Sequence, residues 1–156
     1  MKHAKPTKIM TLGIVYQHPK ILLGLKKFGF GKGRWNGFGG KIEAGETIEQ
    51  GLVREFQEEC EITPTKFDKR GVIYFEFEDD PDVLEVNIFA VSEYQGEPNE
   101  TEEMKPDWFH IDELPWKNMW PDDPLWFPLF RDGKKFEGNV FFKDQNTIIR
   151  YEFQEA

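Results

Sequence analysis

The stretch GKIEAGETIEQGLVREFQEECEI, residues 40–62, decides the fold and most of the chemistry. Within it, residues 54–59 (REFQEE) put Glu55, Glu58 and Glu59 into little more than one helical turn. Glu55 and Glu59 stand at i, i+4, a like-charge spacing that destabilises a helix by roughly 0.2–0.5 kcal/mol. The local signals are nonetheless helical. Thr47, with Gln50 three residues on, fits a capping box, and Glu46 and Glu49 suit the positive N-terminal end. Ile48, Leu52 and Phe56 recur every four residues and make one apolar face. The helix is expected to stop near Glu61–Pro64. With Ile48 at zero on a wheel of about 100° per residue, Glu59 falls at about 20°, Glu55 at about −20° and Glu58 at about −80°. Two carboxylates therefore lie in or beside the apolar stripe, where a merely solvated acidic helix would not carry them. Carboxylates on a buried face must be paired or bound to metal. An all-oxygen ligand set favours a hard cation, Mg²⁺ or Mn²⁺.

Outward from this helix the chain reads as strands. Residues 8–17 and 20–27 are apolar, β-rich segments separated by His18-Pro19, predicting two strands and a tight turn. Residues 28–40, FGFGKGRWNGFGG, hold six glycines and are read as a long loop whose backbone approaches something closely. Residues 66–77 and 84–94 predict a long hairpin with EDDPD at its tip, and 104–110 a further strand followed by the turn DELPW. Asp123 and Pro124 suit the N-cap and N1 positions of a second helix. Strands near 135–143 and 147–154 close the chain. Strands interleaved with two helices predict one α/β or α+β domain over residues 1–156.

The 156 residues are 38% hydrophobic and 15% aromatic, too apolar for a disordered chain. The net charge of −9 argues against a protein that coats a nucleic acid polymer. It leaves room for a small phosphorylated substrate if a metal ion and a few lysines offset the charge locally. Cys60 stands alone, so no intramolecular disulfide forms, and His3, His18 and His110 are scattered too widely to suggest a zinc site. No signal-peptide pattern or apolar run of membrane-spanning length is visible, so a soluble, cytoplasmic monomer is expected.

Residues 40–62 resemble the Nudix box, G-x5-E-x7-R-E-U-x-E-E-x-G-U, in which U is a large aliphatic or similar residue. Gly40, Glu46, Arg54, Glu55, Phe56, Glu58, Glu59 and Ile62 match it, while Glu61 stands in place of the second glycine. A glycine there would suit a left-handed helix end, which Glu adopts only at some cost. RWNGFGGK, EEMKPDWF and NMWPDDPLWFPL extend the likeness to the vertebrate oxidised-purine nucleoside triphosphatases of this superfamily, over about residues 8 to 154. The resemblance implies a Nudix α/β/α sandwich with a mixed sheet. The activity it implies is Mg²⁺-dependent hydrolysis of oxidised purine nucleoside triphosphates to monophosphate and pyrophosphate, sanitising the nucleotide pool. Glu55, Glu58 and Glu59 would hold the metal, with Gly40 supplying a carbonyl. Glu59 or Glu103 would be the general base, and Arg54 would hold the acidic side chains in place. Lys26 would meet phosphate, though a strand-edge lysine reads the same way. Asn36, Trp120, Asp122 and Asp123 would read the base, with Phe30, Phe75, Trp126 and Thr11 lining the pocket. Phe75 and Trp126 also suit a plain core, and Asp123 a plain helix cap. Leu84 stands where the resemblance has a flexible methionine. Two alternatives stay open: a Nudix pyrophosphatase of other nucleotides (alkylated purine nucleotides, dinucleoside polyphosphates, ADP-ribose), and a non-catalytic module that binds nucleotide or RNA.

Overall fold

The computed structural model describes residues 5–156. In chain order its strands are β1 (Lys8–Gln17), β2 (Lys20–Lys26), β3 (Trp35–Asn36), β4 (Phe38–Lys41), β5 (Thr63–Phe77), β6 (Asp80–Gln95), β7 (Met104–His110), β8 (Phe136–Asp144) and β9 (Thr147–Glu155). Helix α1 (Ile48–Cys60) follows β4, and α2 (Asp123–Arg131) follows β7 after one 3-10 turn at Trp116–Asn118. The strands form one sheet in the order β3-β2-β1-β6-β5-β8-β9, with β4 paired to β1 and β7 to β2. β1–β6 and β5–β8 are parallel and the other pairs antiparallel, so the sheet is mixed.

The two-residue period of a strand sends neighbouring side chains to opposite faces. Ile14, Ile21 and Ile88 pack with Trp126, Phe127 and Phe130 of α2. Their neighbours Val15, Leu22 and Phe89 pack with Leu52, Phe56 and Cys60 of α1. Each helix thus covers one face of the sheet, which is the expected sandwich. Among the described residues no helix is long and apolar enough to cross a membrane. His3 lies outside the described residues.

Three sequence expectations need correction. Residues 28–40 are not loop throughout, because β3 and β4 lie within them. A Cβ on Gly39 would overlap the Thr11 carbonyl, so the close backbone approach expected in this segment is made here by a strand. The hairpin is tighter than EDDPD suggests, since Phe77 already faces Asp80. Finally, Asp122 and not Asp123 occupies the N-cap of α2, without a side-chain capping bond, and Asp123 is the first helical residue.

Helix α1 begins as its sequence predicts. Thr47 Oγ1 accepts from the Gln50 N–H at 3.1 Å and Gln50 Oε1 from the Thr47 N–H at 2.9 Å. It ends at Glu61 in the left-handed region, φ 65° and ψ 27°. That conformation costs a residue with a Cβ roughly 1–2 kcal/mol, partly offset by the greater entropy loss of glycine. Glu61→Gly is therefore expected to stabilise the fold by about 0.5–1 kcal/mol, read as a higher urea midpoint at unchanged m-value.

Candidate active site

The wheel order of the three glutamates holds in space. The Glu55 side chain is 13% exposed and that of Glu58 48% exposed, while Glu59 is buried. Arg54 gathers the acidic residues around itself. Its Nε donates to Glu46 at 2.6 Å and its Nη1 to Glu55 at 2.9 Å and Glu58 at 3.2 Å. Nη2 reaches Glu46 at 3.0 Å and the Lys41 carbonyl at 3.1 Å. A guanidinium suits this because its donors form a fixed planar fork. Glu46, bonded to Arg54, is held below the usual carboxylate range.

Glu55 and Glu59 are shifted the other way. Burial raises Glu55, with the Arg54 bond opposing it and the charges of Glu58 and Glu103 adding to it. Glu59 is pushed up to about 8, by burial first and then by the Glu55 charge. Its Oε1 accepts from the Gly39 N–H at 2.8 Å. Among the described residues no three His, Cys, Asp or Glu side chains are gathered as a ready metal cluster, and Glu55 and Glu58 both bond to Arg54. Glu103 is half-buried in the loop before β7, and its charge acts on both Glu55 and Glu59. Thr101 in that loop donates to the Glu59 carbonyl at 2.9 Å and ties the loop to α1.

Beside this acidic end, on the α2 face of the sheet, opens a cavity with about 920 Å³ of empty space, its open mouth included. Glu59 lines it together with Lys26, Asn36, Trp120, Asp122 and Asp123. Asp122 and Asp123 are 2% and 4% exposed. Trp126 Nε1 donates to Asp122 Oδ2 at 2.8 Å, and the Trp120 N–H donates to Asp123 Oδ2 at 3.2 Å. Burial pushes Asp122 up to about 6, against the Trp126 bond and the charge of Arg34. Burial, and then the Asp122 charge, pushes Asp123 well above the ordinary range. The pair therefore favours a protonated folded state. Stability from these groups is fully present below about pH 4 and is lost as pH rises through about 6 and beyond. Asp122→Asn, which keeps an acceptor for Trp126, should unfold at higher denaturant than the parent at pH 8 but not at pH 4.

Phe30, Phe75, Trp126 and Thr11 all reach the cavity wall, as does Leu84. Phe30 is 50% exposed and sits 5.1 Å from Trp120 and 5.5 Å from Phe77, ring centre to ring centre. Gly40 and Gly39 line the cavity, whereas Glu55, Glu58, Arg54 and Glu103 do not. The sequence reading missed Arg34, Gly39, Phe77 and Phe142. Phe77 and Phe142 stack at 5.1 Å, and Phe142 meets the edge of Trp120 at 5.9 Å. Alternation along β5 from Phe75 would have placed Phe77 on the same face. The same alternation along β8 from Phe136 places Phe142 inward, whereas no periodicity marks Arg34.

A mixed sheet between two helices, with a box-shaped acidic helix at a cavity, defines the class of protein. The sequence model of the NUDIX domain matches residues 8–130, and the chain belongs to the NUDIX family. It is 48% identical over 150 residues to the oxidized purine nucleoside triphosphate hydrolase of Mus musculus, and 46% identical over 150 residues to the protein of that name in Danio rerio. Each comparison covers 96% of both chains. The crystal structure of the mutator MutT protein from Bacillus halodurans superposes with a TM-score of 0.83 at 26% identity, covering 94% of this chain and 97% of that one.

Proposed function

We propose that this chain hydrolyses oxidised purine (deoxy)nucleoside triphosphates, of the 8-oxo-dGTP and 2-hydroxy-dATP type, to monophosphate and pyrophosphate. The cofactor is a divalent metal, Mg²⁺ in our reading, and the physiological outcome is a nucleotide pool cleared of damaged purines. One observation carries this: a single cavity is lined both by Glu59 of the acidic helix and by the buried Asp122–Asp123 pair with Asn36 and Trp120. The names of the relatives from Mus musculus and Danio rerio support the same substrate class.

The donor set fits a hard cation. The Glu55 charge raises the proton affinity of Glu59, and a Cβ on Gly40 would stand 2.8 Å from Glu55 Oε1, so the Gly40 backbone lies close beside that carboxylate. Glu55, Glu58, Glu59 and Glu103 with the Gly40 carbonyl would hold the ion. When bound, it supplies charge neutralisation for the phosphate chain and Lewis acidity. Arg54 keeps Glu55 and Glu58 in reach through bonds of 2.9 and 3.2 Å. Lys26, on the cavity wall, meets phosphate. Of the two candidate bases we assign Glu59, which lines the cavity, over Glu103, which does not. Glu59 takes a proton from the attacking water, whose oxygen bonds to phosphorus as the bond to the pyrophosphate side breaks.

At the other task, Trp120 offers a ring face and Asn36 a donor and an acceptor for a purine edge. The Asn36 Oδ1 already accepts from the Gly37 N–H at 2.8 Å, leaving its amide hydrogens for a ligand. A protonated Asp donates where an ionised one accepts. The pair can thus meet different oxidised purines by moving protons.

Pyrophosphate release with Mg²⁺ across dGTP, 8-oxo-dGTP, 2-hydroxy-dATP, O6-methyl-dGTP, diadenosine tetraphosphate and ADP-ribose tests the proposal. The two oxidised nucleotides are expected to be the best substrates. Equal turnover of dGTP and 8-oxo-dGTP removes the sanitising role, and no turnover at all by folded protein favours a binding module.

A further inference from the structure

Arg34 lies in the loop between β2 and β3, and its side chain reaches Trp120 and Asn146, both far from it in sequence. Its guanidinium carbon stands 4.3 Å from the centre of the Trp120 ring. Its Nη2 donates to Asn146 Oδ1 at 2.5 Å, in the turn between β8 and β9. Arg34 also lines the cavity that holds Asp122 and Asp123. Its Nη1 is buried without a hydrogen-bond partner, although a guanidinium in a settled structural role uses its donors. A buried, unpaired donor is a cost that charge can justify.

The charge has an evident target. Asp122 faces Trp126 Nε1, Asp123 faces the Trp120 N–H, and the charged side chain acting on both from outside the pair is Arg34. Two nearly solvent-free carboxylates that share a cavity with one guanidinium leave one negative charge matched and one unmatched. The unmatched carboxylate keeps its proton, since burial disfavours an uncompensated charge.

We propose that Arg34 is a positioning residue of the base pocket, which braces Trp120 and, by matching one carboxylate, holds the Asp122–Asp123 pair at one shared proton. The pair then presents one donor and one acceptor to the base. Asn146 aims the guanidinium by fixing its Nη2, and the stacking contact carries that orientation to Trp120. Without the charge the pair keeps its second proton up to higher pH, so a purine edge that donates loses its acceptor over a wider pH range. This inference rests on the reading that a purine base occupies the cavity.

The test compares wild type, Arg34→Gln, Arg34→Lys and Asn146→Ala. One readout is kcat/KM for 8-oxo-dGTP from about pH 5 to about pH 9, and another is binding of the product 8-oxo-dGMP by tryptophan fluorescence, which needs no turnover. Arg34→Gln is expected to move the limb set by the pair upward by about one pH unit or more, the usual scale for loss of a nearby opposite charge. Arg34→Lys keeps the charge and should leave the limb in place while KM rises, because an ammonium lacks the planar stack. Asn146→Ala should likewise raise KM and leave the limb. An Arg34→Gln limb that coincides with wild type overturns the inference, as does an Arg34→Lys limb displaced equally far. Should Arg34→Gln not fold, the wild type decides. Carboxyl-carbon NMR of Asp122 and Asp123 must then count one proton on the pair at neutral pH, and two or none overturns the proposal. Wild type that neither binds 8-oxo-dGMP nor cleaves the triphosphate removes the functional reading and this inference with it. Wild type that does both, with an unmoved Arg34→Gln limb, removes only the role of Arg34.

Discussion

Glu59→Gln is expected to lower kcat for 8-oxo-dGTP by roughly 10³-fold while the protein stays folded, within the usual range for losing a general base. The substitution is nearly isosteric, and the Gln carbonyl can still accept from the Gly39 N–H that now meets Glu59 at 2.8 Å. What disappears is the anion, and both proposed duties of Glu59, holding a cation and accepting a proton, require it. Stability should not fall, because burial and the Glu55 charge already push this carboxyl up to about 8. Removing a reluctant charge from a buried face relieves repulsion in the metal-free protein. Glu103→Gln, half-buried and outside the cavity wall, should cost less than Glu59→Gln, because it removes one proposed metal ligand but not the proposed base. Pyrophosphate release and thermal melting on the two variants check this. A large loss in Glu103→Gln with near-normal Glu59→Gln would move the base to Glu103.

The second large effect concerns which base is accepted. Asp122→Asn and Asp123→Asn should each lower kcat/KM for one of 8-oxo-dGTP and 2-hydroxy-dATP by on the order of 10²-fold, and for the other much less. An Asn amide cannot exchange its donor for an acceptor by moving a proton, so each variant freezes one face of the pair. Both positions are almost solvent-free at 2% and 4% exposure, so water cannot stand in for the mismatched partner. Unchanged ratios between the two substrates in both variants would sink the proton-exchange idea. The denaturation series at pH 4 and pH 8 reports independently whether the carboxyls titrate as their burial demands.

The acidic helix was legible because its geometry is local. Along α1 the spacing of about 3.6 residues per turn sets where each side chain points before any tertiary contact forms. The wheel therefore ranked the glutamates in the order of exposure found, with Glu58 outermost. The Thr47–Gln50 capping box was legible for the same reason, its partners being three residues apart. In the glycine-rich segment the expected close backbone approach is met at Gly39 beside the Thr11 carbonyl, but only the assembled sheet shows that the approach is made by strand pairing and not by a loop. The start of α2 slipped by one residue, since Asp123 suits an N-cap equally well by composition, yet its carboxylate turns back to accept from the Trp120 N–H ahead of the helix.

Alone, the sequence determined the helix with its carboxylates, the strands that flank it and, through the Nudix box, the family. The proposed base pocket is a different kind of object. Arg34, Phe77, Trp120 and Phe142 have no spacing in common, and they meet because β5 pairs with β8 and the β2–β3 loop reaches over to Trp120 and the β8–β9 turn. Contacts across a hundred residues leave no periodic trace in the chain. The charge state of the Asp pair is further still from the sequence, for it depends on how completely water is excluded and on a guanidinium that only the assembled fold brings near.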